Sequence, residues 1–205
     1  MAPLVPRFHL FEINDQEWFV LLPNPALQLP FQQANPPPRF HPWLRRRVQA
    51  ALTITWTIQL PFLQSSSPAH LASALLLRHI PSPTHWVVLD FCAGGGGPTP
   101  SIERSLNAQL KKTSPNSAPV EFVLTDLHPH VEDWAVAARQ SPNIRYESEP
   151  VDASAAARGM IETHAGVGKG RKKVLRLFNL AFHHFDDGLA RAILKNTVET
   201  SDGFA

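Results

Sequence analysis

The stretch from residue 86 to residue 100 constrains the fold of this chain more than any other part of the sequence. It begins with the apolar run Trp86–Leu89, which is typical of a strand buried on both faces of a parallel sheet. The glycines Gly94–Gly97 follow, and then Pro98 and Pro100. Proline is favoured in the first turn of a helix because the amide groups there have no intrahelical partner. The stretch therefore predicts strand, glycine loop and helix, which is the first unit of a doubly wound sheet, where ligands bind at the carboxyl ends of the strands.

The glycine loop fits two common phosphate-binding motifs poorly. A P-loop needs Lys and then Ser or Thr after its last glycine, and no Lys follows these glycines. The dinucleotide fingerprint matches only in part, because Thr99 stands at the place of its last glycine. Thr99 is instead expected to cap the following helix. A turn that binds no ligand remains the alternative interpretation of the loop.

The end of the first strand and its loop resemble the first motif of class I S-adenosylmethionine-dependent methyltransferases, Asp-x-Gly-x-Gly-x-Gly. Asp90, Gly94 and Gly96 match this motif, and Cys92 replaces its first glycine. The resemblance implies that the cofactor S-adenosyl-L-methionine is bound by Asp90, Cys92, Ala93, Gly94, Gly95 and Gly96. The same run occurs in RNA cytosine methyltransferases, whose catalytic cysteines lie elsewhere, so we expect Cys92 to pack beneath the cofactor.

Further apolar runs at 120–124, 144–147 and 174–178 alternate with helical patterns at 131–140 and 153–164. Such βαβ units connect right-handedly into a parallel sheet. The resemblance implies an α/β fold, namely a Rossmann-like doubly wound parallel sheet of the class I methyltransferase type with strand order 3-2-1-4, lacking the later strands of the family. A bare edge on the fourth strand is an aggregation hazard, so a partner or a missing segment is expected to cover it.

Two more regions complete the expected organisation. Residues 1–80 are predicted to form an irregular arm and an N-terminal helical extension that covers the sheet, and residues 81–205 the cofactor-binding domain. Helical spacing predicts a helix at 42–59 and another from Pro68 that carries Leu71, Leu75 and Leu76. After the fourth strand, a last helix is expected to be capped by Asp186 or Asp187 and to bury Leu189, Ile193 and Leu194.

Acidic residues follow the second and third predicted strands. Asp126 ends the second strand, where an acid accepts hydrogen bonds from ribose hydroxyls in nucleotide-binding folds. Asp152 follows the third strand and matches the acid that contacts the adenine amino group in the methyltransferase family. The neighbours Leu127 and Ala153 are included in the implied cofactor site. The alternative for both acids is a helix cap.

The segment after the fourth strand resembles the fourth motif of the family in its variant with paired histidines. Asn179 closes the strand and is included in the cofactor site, and His183 and His184 are the candidate catalytic residues. Imidazole titrates near neutral pH, so either could remove a proton from an acceptor hydroxyl. Methyl transfer needs alignment more than a strong base, so a role in shaping the pocket floor is the alternative.

The composition limits the kinds of partner and the cellular location that the sequence predicts. The net charge of +2 gives no general argument for nucleic acid, and the basic runs Arg45–Arg47 and Lys169–Lys173 are expected to be solvated surface. No Cys/His set has zinc spacing, so no metal is expected. Cys92 is the single cysteine, which suits a reducing compartment. The apolar run at 50–63 is too short to span a bilayer and no signal peptide is recognised, so a cytoplasmic protein without membrane contact is predicted.

The motifs occur in the family's order along residues 85–200, and the whole chain also resembles uncharacterised fungal methyltransferase-like proteins. The predicted function is therefore S-adenosylmethionine-dependent methyl transfer to a small-molecule acceptor. Two alternatives stay open: a truncated, non-catalytic cofactor-binding or interaction module, and an NAD-dependent oxidoreductase.

Overall fold

The computed structural model describes residues 56–58, 66–166 and 168–205. The predicted N-terminal arm, most of the predicted helix at 42–59 and the Arg45–Arg47 run lie outside these residues. Within them the helices are α1 (Pro68–His79), α2 (Thr99–Thr113), α3 (Val131–Gln140), α4 (Arg158–Ala165) and α5 (Asp187–Thr200). The strands are β1 (Trp86–Phe91), β2 (Glu121–Thr125), β3 (Ile144–Tyr146), β4 (Lys173–Leu177) and β5 (Gly203–Phe204). Short 3-10 helices occur at Pro83–His85, Gly168–Gly170 and Phe182–His184.

The strands form one parallel sheet in the order β3-β2-β1-β4-β5. This is an α/β fold consistent with a Rossmann-like arrangement, and the predicted order 3-2-1-4 is confirmed. All six residues of β1 are buried, because the strand lies in the middle of the sheet with helices over both faces. That position explains why its sequence reads as a continuous apolar run.

A fifth strand is present, so the prediction that the sheet ends at β4 is wrong. Gly203 pairs with Leu175 and Phe204 with Arg176. The strand has two residues, so it produces no apolar run in the sequence. At Gly203 a Cβ would lie 3.3 Å from Leu175 Cδ1, a tight contact that a shift of the Leu175 side chain by a few tenths of an ångström would have to relieve.

The core is divided by the sheet into two faces. On one face Val88, Phe122 and Leu175 pack with residues of α1 and α2, and next to them Leu124 packs with Trp134 of α3. On the other face the core includes alternate residues of β1, residues of β2 and β4, and residues of the loops and helices of the second half, among them Val87, Leu89, Phe91, Val151, Ala156, Ile161 and Ile193. Helices on both faces are the defining feature of doubly wound sheets.

Several local predictions are corrected by tertiary contacts. The helix predicted at 153–164 begins only at Arg158, since residues 152–155 form a turn. Asp186 caps α5 as predicted and accepts a hydrogen bond from Leu189 N at 2.8 Å. Leu189 and Leu194 are 42% and 37% exposed, so the prediction that they are buried is wrong. The exposed apolar side chains on α1 are Leu71 and Leu75, whereas Leu76 is buried.

Arg176 of β4 is completely buried on the α5 side of the sheet. Its guanidinium donates to Asn196 Oδ1 at 2.7 Å and to Thr200 Oγ1 at 2.6 Å, and lies 4.3 Å from the centre of the Phe91 ring. Burial lowers the pKa of Arg176 to about 10. Within the described residues no carboxylate pairs with it, so neutral acceptors alone hold this cation between β4 and α5.

Among the described helices, none combines the length and the apolar composition that crossing a bilayer requires.

Candidate functional site

The candidate site lies at the carboxyl edge of the sheet, where β1, β2 and β4 end side by side. The parallel register places Asp90 of β1 beside Leu124 of β2 and Leu177 of β4. The segments that follow these strands therefore begin at one edge. Three of the predicted site residues, Asp90, Asp126 and Asn179, meet there with the glycine loop.

Asp90 is the buried centre of this edge, with 1% of its surface exposed. One carboxylate oxygen accepts a hydrogen bond from the hydroxyl of Thr99, the first residue of α2. The other oxygen accepts one from Asn179 Nδ2 at 3.3 Å, and the same nitrogen donates to Thr99 Oγ1 at 2.8 Å. The prediction that Thr99 caps α2 is therefore wrong, because its hydroxyl points to Asp90 and Pro98 occupies the cap.

Burial raises the pKa of Asp90 from 3.8 to about 7. The hydrogen bonds from Thr99 and Asn179 act against this rise, and the negative charge of Asp126 adds to it. Desolvation exceeds the hydrogen bonds because a carboxylate without a nearby cation loses most of its hydration energy on burial. Neutral pH is therefore close to the midpoint of this titration.

The glycine loop is held by hydrogen bonds along its length. Ala93 N donates to Thr125 O at 3.0 Å, Gly94 N to Asp126 Oδ2 at 2.8 Å, and Gly96 N to Ala93 O at 2.8 Å. Gly94 has a φ of +51°, and a Cβ there would meet no atom within 4 Å. Space around this position would admit a side chain. The positive φ is therefore the reason that favours glycine here.

Asp126 joins the glycine loop to the end of β2. Its Oδ1 also accepts a hydrogen bond from His128 N at 2.8 Å, so backbone amides fix both carboxylate oxygens. Its carbonyl oxygen accepts from Val151 N at 2.8 Å, which draws the segment after β3 to the same edge. Leu127 beside it is 51% exposed. The predicted meeting of Asp126 with the loop is observed.

Asp152 lies in the segment that Val151 anchors, and its side chain is exposed. Its Oδ1 accepts hydrogen bonds from Ser154 N at 2.8 Å and Ser154 Oγ at 2.7 Å. The alternative of a helix cap is excluded, because α4 starts six residues later and Asp152 instead closes a turn. Ala153 is buried in the core beneath this turn.

Cys92, which follows β1 at the same edge, is half-buried. Burial is the main reason why its pKa rises to about 12, and the charges of Asp126, Asp90 and Asp152 contribute further. The thiol is therefore protonated at neutral pH and is a poor nucleophile. Cys92 packs against the core, and its position beneath a ligand stays a prediction.

The segment after β4 contains residues that pack against other side chains and residues that are exposed. Phe182 packs edge-on against Phe178, with ring centres 5.0 Å apart, and it also contacts Phe185. His183 and His184 of the same 3-10 helix are both exposed, with their rings 3.8 Å apart. The structure thus leaves the two candidate catalytic residues on the surface, whereas Asn179 belongs to the buried network.

Trp134 is a site residue that the sequence analysis missed. It is completely buried on α3 and donates its indole N–H to Gly94 O at 2.8 Å. A buried indole usually finds a hydrogen-bond acceptor. The signal available in the sequence was a tryptophan in the first turn of the helix after β2, but nothing local indicates that its acceptor is the glycine loop.

Charge differs between the two edges of the sheet. The segments 92–98, 126–130, 147–157 and 178–186 follow strands at the carboxyl edge, and they contain five acidic residues and no Lys or Arg. Basic residues occur at the starts of strands instead: Lys172 lies 2.9 Å from Glu121, and Arg171 lies 3.8 Å from Asp202. Among the described residues no group of three or more His, Cys, Asp or Glu could hold a metal ion.

The geometry of the carboxyl edge of the sheet is the basis on which a function can be proposed for this chain. Comparison with protein-family models finds no match for the chain, and comparison with curated protein sequences finds none either.

Proposed function

We propose that this chain is a class I S-adenosylmethionine-dependent methyltransferase domain that acts on a small-molecule acceptor. The observation that carries the proposal is the hydrogen bond of 2.8 Å between Gly94 N and Asp126 Oδ2. It joins the glycine loop after β1 to the acid after β2, which are the two elements that a nucleotide-like ligand contacts in folds of this kind.

Each residue at the edge has a role in this proposal. The carboxylate of Asp126, fixed by two backbone amides, accepts hydrogen bonds from ribose hydroxyls, and exposed Leu127 offers an apolar surface to the base. Asp152 accepts a hydrogen bond from the adenine amino group. Asp90 and Asn179 are joined to each other and to Thr99 at the start of α2, and they support the end of the glycine loop in this proposal.

S-adenosyl-L-methionine would supply an electrophilic methyl group on a positively charged sulfur. The residues of this chain then have to align an acceptor oxygen or nitrogen with that methyl group, which matters more than a strong base. His183 and His184 follow β4 at the same edge and are the candidates to accept the proton that the acceptor loses.

The charge of the edge favours this cofactor over a nicotinamide dinucleotide. A sulfonium is a cation, whereas the pyrophosphate of NAD is an anion. The strand-end segments carry five acids and no Lys or Arg, so an anion bound among them meets like charges and no Lys or Arg of these segments. An NAD-dependent oxidoreductase is therefore the less supported alternative.

The exposure of both histidines favours a second candidate function, a module that binds the cofactor and does not transfer its methyl group. Measuring the S-adenosylhomocysteine released with a panel of small hydroxyl and amine acceptors separates the two. Release that depends on one acceptor supports the enzyme, and cofactor binding without release from any acceptor supports the module.

Calorimetry with S-adenosylhomocysteine tests the proposed site. We expect the full chain to bind this compound and not NAD, and Asp126→Ala to weaken binding at least about tenfold, since it removes two charge-assisted acceptors. Glu162→Ala is the matched control, because it removes one acid from an exposed position of α4. Absence of binding by the wild-type chain, or equal affinity of the Asp126→Ala variant, would contradict the proposal.

A further inference from the structure

Two hydrogen bonds fix the peptide units on both sides of the Gly94 α-carbon. The unit that contains the Gly94 N–H is held by Asp126 Oδ2, and the unit that contains the Gly94 C=O is held by Trp134 Nε1, each at 2.8 Å. Rotation about either backbone bond of Gly94 breaks one of them. The left-handed conformation of this residue, with a φ of +51°, is therefore set from outside the loop.

The bond from Trp134 also determines where the next amide points. In a trans peptide the C=O and the following N–H point in opposite directions. Because the Gly94 carbonyl points at the buried indole, the Gly95 N–H points away from it. Within the described part of the chain this N–H donates to no acceptor, and Gly95 is partly exposed.

We propose that Trp134 is a positioning residue of the loop, which holds the Gly95 N–H as a hydrogen-bond donor for an acceptor atom of the ligand. The assignment of S-adenosyl-L-methionine as that ligand rests on the proposed function. The orientation of the Gly94–Gly95 peptide does not rest on it, because both bonds are made between groups of the chain itself.

The chain contains a matched control for this role. Trp86 is 7% exposed and donates its indole N–H to Pro81 O at 2.9 Å, at the opposite end of β1 from the loop. The variants Trp134→Phe and Trp86→Phe each remove one buried indole bond and a similar volume. If Trp134 contributed only to packing and stability, Trp134→Phe and Trp86→Phe would have the same effect on the glycine loop.

The first arm of the test uses the ligand-free full chain and amide hydrogen exchange followed by NMR. We expect Trp134→Phe to shift the Gly95 amide resonance and to speed exchange of the Gly94 N–H by about two- to tenfold, the range expected for loss of one neutral hydrogen bond. Trp86→Phe should leave both unchanged. Wild-type behaviour of Gly94 and Gly95 in Trp134→Phe would overturn the proposal.

The second arm adds S-adenosylhomocysteine. We expect Trp134→Phe to raise its Kd by about two- to tenfold, and Trp86→Phe to leave it unchanged. If Trp134→Phe does not fold, the wild-type chain labelled at its indole nitrogens replaces it: saturation with the ligand should move the Trp134 indole resonance and not that of Trp86. If the wild-type chain binds no S-adenosylhomocysteine, the proposed function fails, and the ligand-free arm still decides the role of Trp134. Equal Kd values for the two variants, or an unmoved Trp134 resonance in a saturated wild-type chain, would refute the positioning role of Trp134.

Discussion

Replacing Asp90 by Asn is expected to stabilise the fold, and to do so more strongly at pH 8 than at pH 5. The folded-state pKa of Asp90 is raised from 3.8 to about 7 by burial. Between these two values the unfolded chain has lost the proton and the folded chain retains it. The free energy of unfolding therefore falls as the pH rises from about 4 to about 7, and it levels off above that range.

The magnitude follows from the pKa difference. A separation of about 3 between the folded and unfolded values corresponds to about 4 kcal/mol at pH 8. An Asn at position 90 cannot accept hydrogen bonds from both Thr99 and Asn179, and the loss of one such bond costs about 1 kcal/mol. We expect a net gain of about 3 kcal/mol at pH 8 and less than about 1 kcal/mol at pH 5.

Urea unfolding of the wild-type chain and the Asp90→Asn variant at both pH values provides the measurement. Differences between the two proteins cancel the contributions of all other titrating groups. Asp152→Asn is the control, since it makes the same chemical change at an exposed carboxylate of the same edge. A gain that is equal at pH 5 and pH 8, or a loss of stability at pH 8, would refute the electrostatic argument.

Three further outcomes are expected. Iodoacetamide at pH 8 should modify Cys92 on the order of a hundredfold more slowly in the native chain than in urea, because burial raises its pKa to about 12; equal rates would contradict this. Leu180→Gly should raise the free energy of unfolding by about 0.5–1 kcal/mol, because Leu180 has a φ of +54° and is 64% exposed; urea titration checks it, and a loss would contradict it. Arg176→Met should match or exceed the wild-type melting temperature, because it replaces a costly buried cation by an apolar side chain of similar length. Arg176→Ala should lower the melting temperature, because it leaves a cavity. A large loss of melting temperature in the methionine variant would contradict this.

The central part of the fold could be predicted because local and topological signals agree there. The apolar run of β1, the glycines after it and the acid at the end of β2 each have a short-range pattern. Parallel strands bring their carboxyl ends together, so the sequence order alone places Asp126 near the loop. The observed bond from Gly94 N to Asp126 is the consequence of that rule.

The remaining features depend on contacts between distant residues. Thr99 has the sequence context of a helix cap, but a buried acid nine residues earlier takes its hydroxyl instead. Asp152 closes a turn because the segment is fixed by the bond from Val151 N to Asp126 O, which no local pattern reveals. β5 is defined by the backbone pairing of two residues with β4, not by an apolar pattern.

The hydroxyl of Thr99 couples the segment that follows β1 to the segment that follows β4. It donates to Asp90 of β1, which precedes the glycine loop, and accepts from Asn179 after β4, so one oxygen atom connects both segments. A ligand that orders the first segment lowers the entropic cost of ordering the second, and linkage makes this effect reciprocal. If the chain binds a cofactor and an acceptor as proposed, we expect positive cooperativity between them, each lowering the dissociation constant of the other.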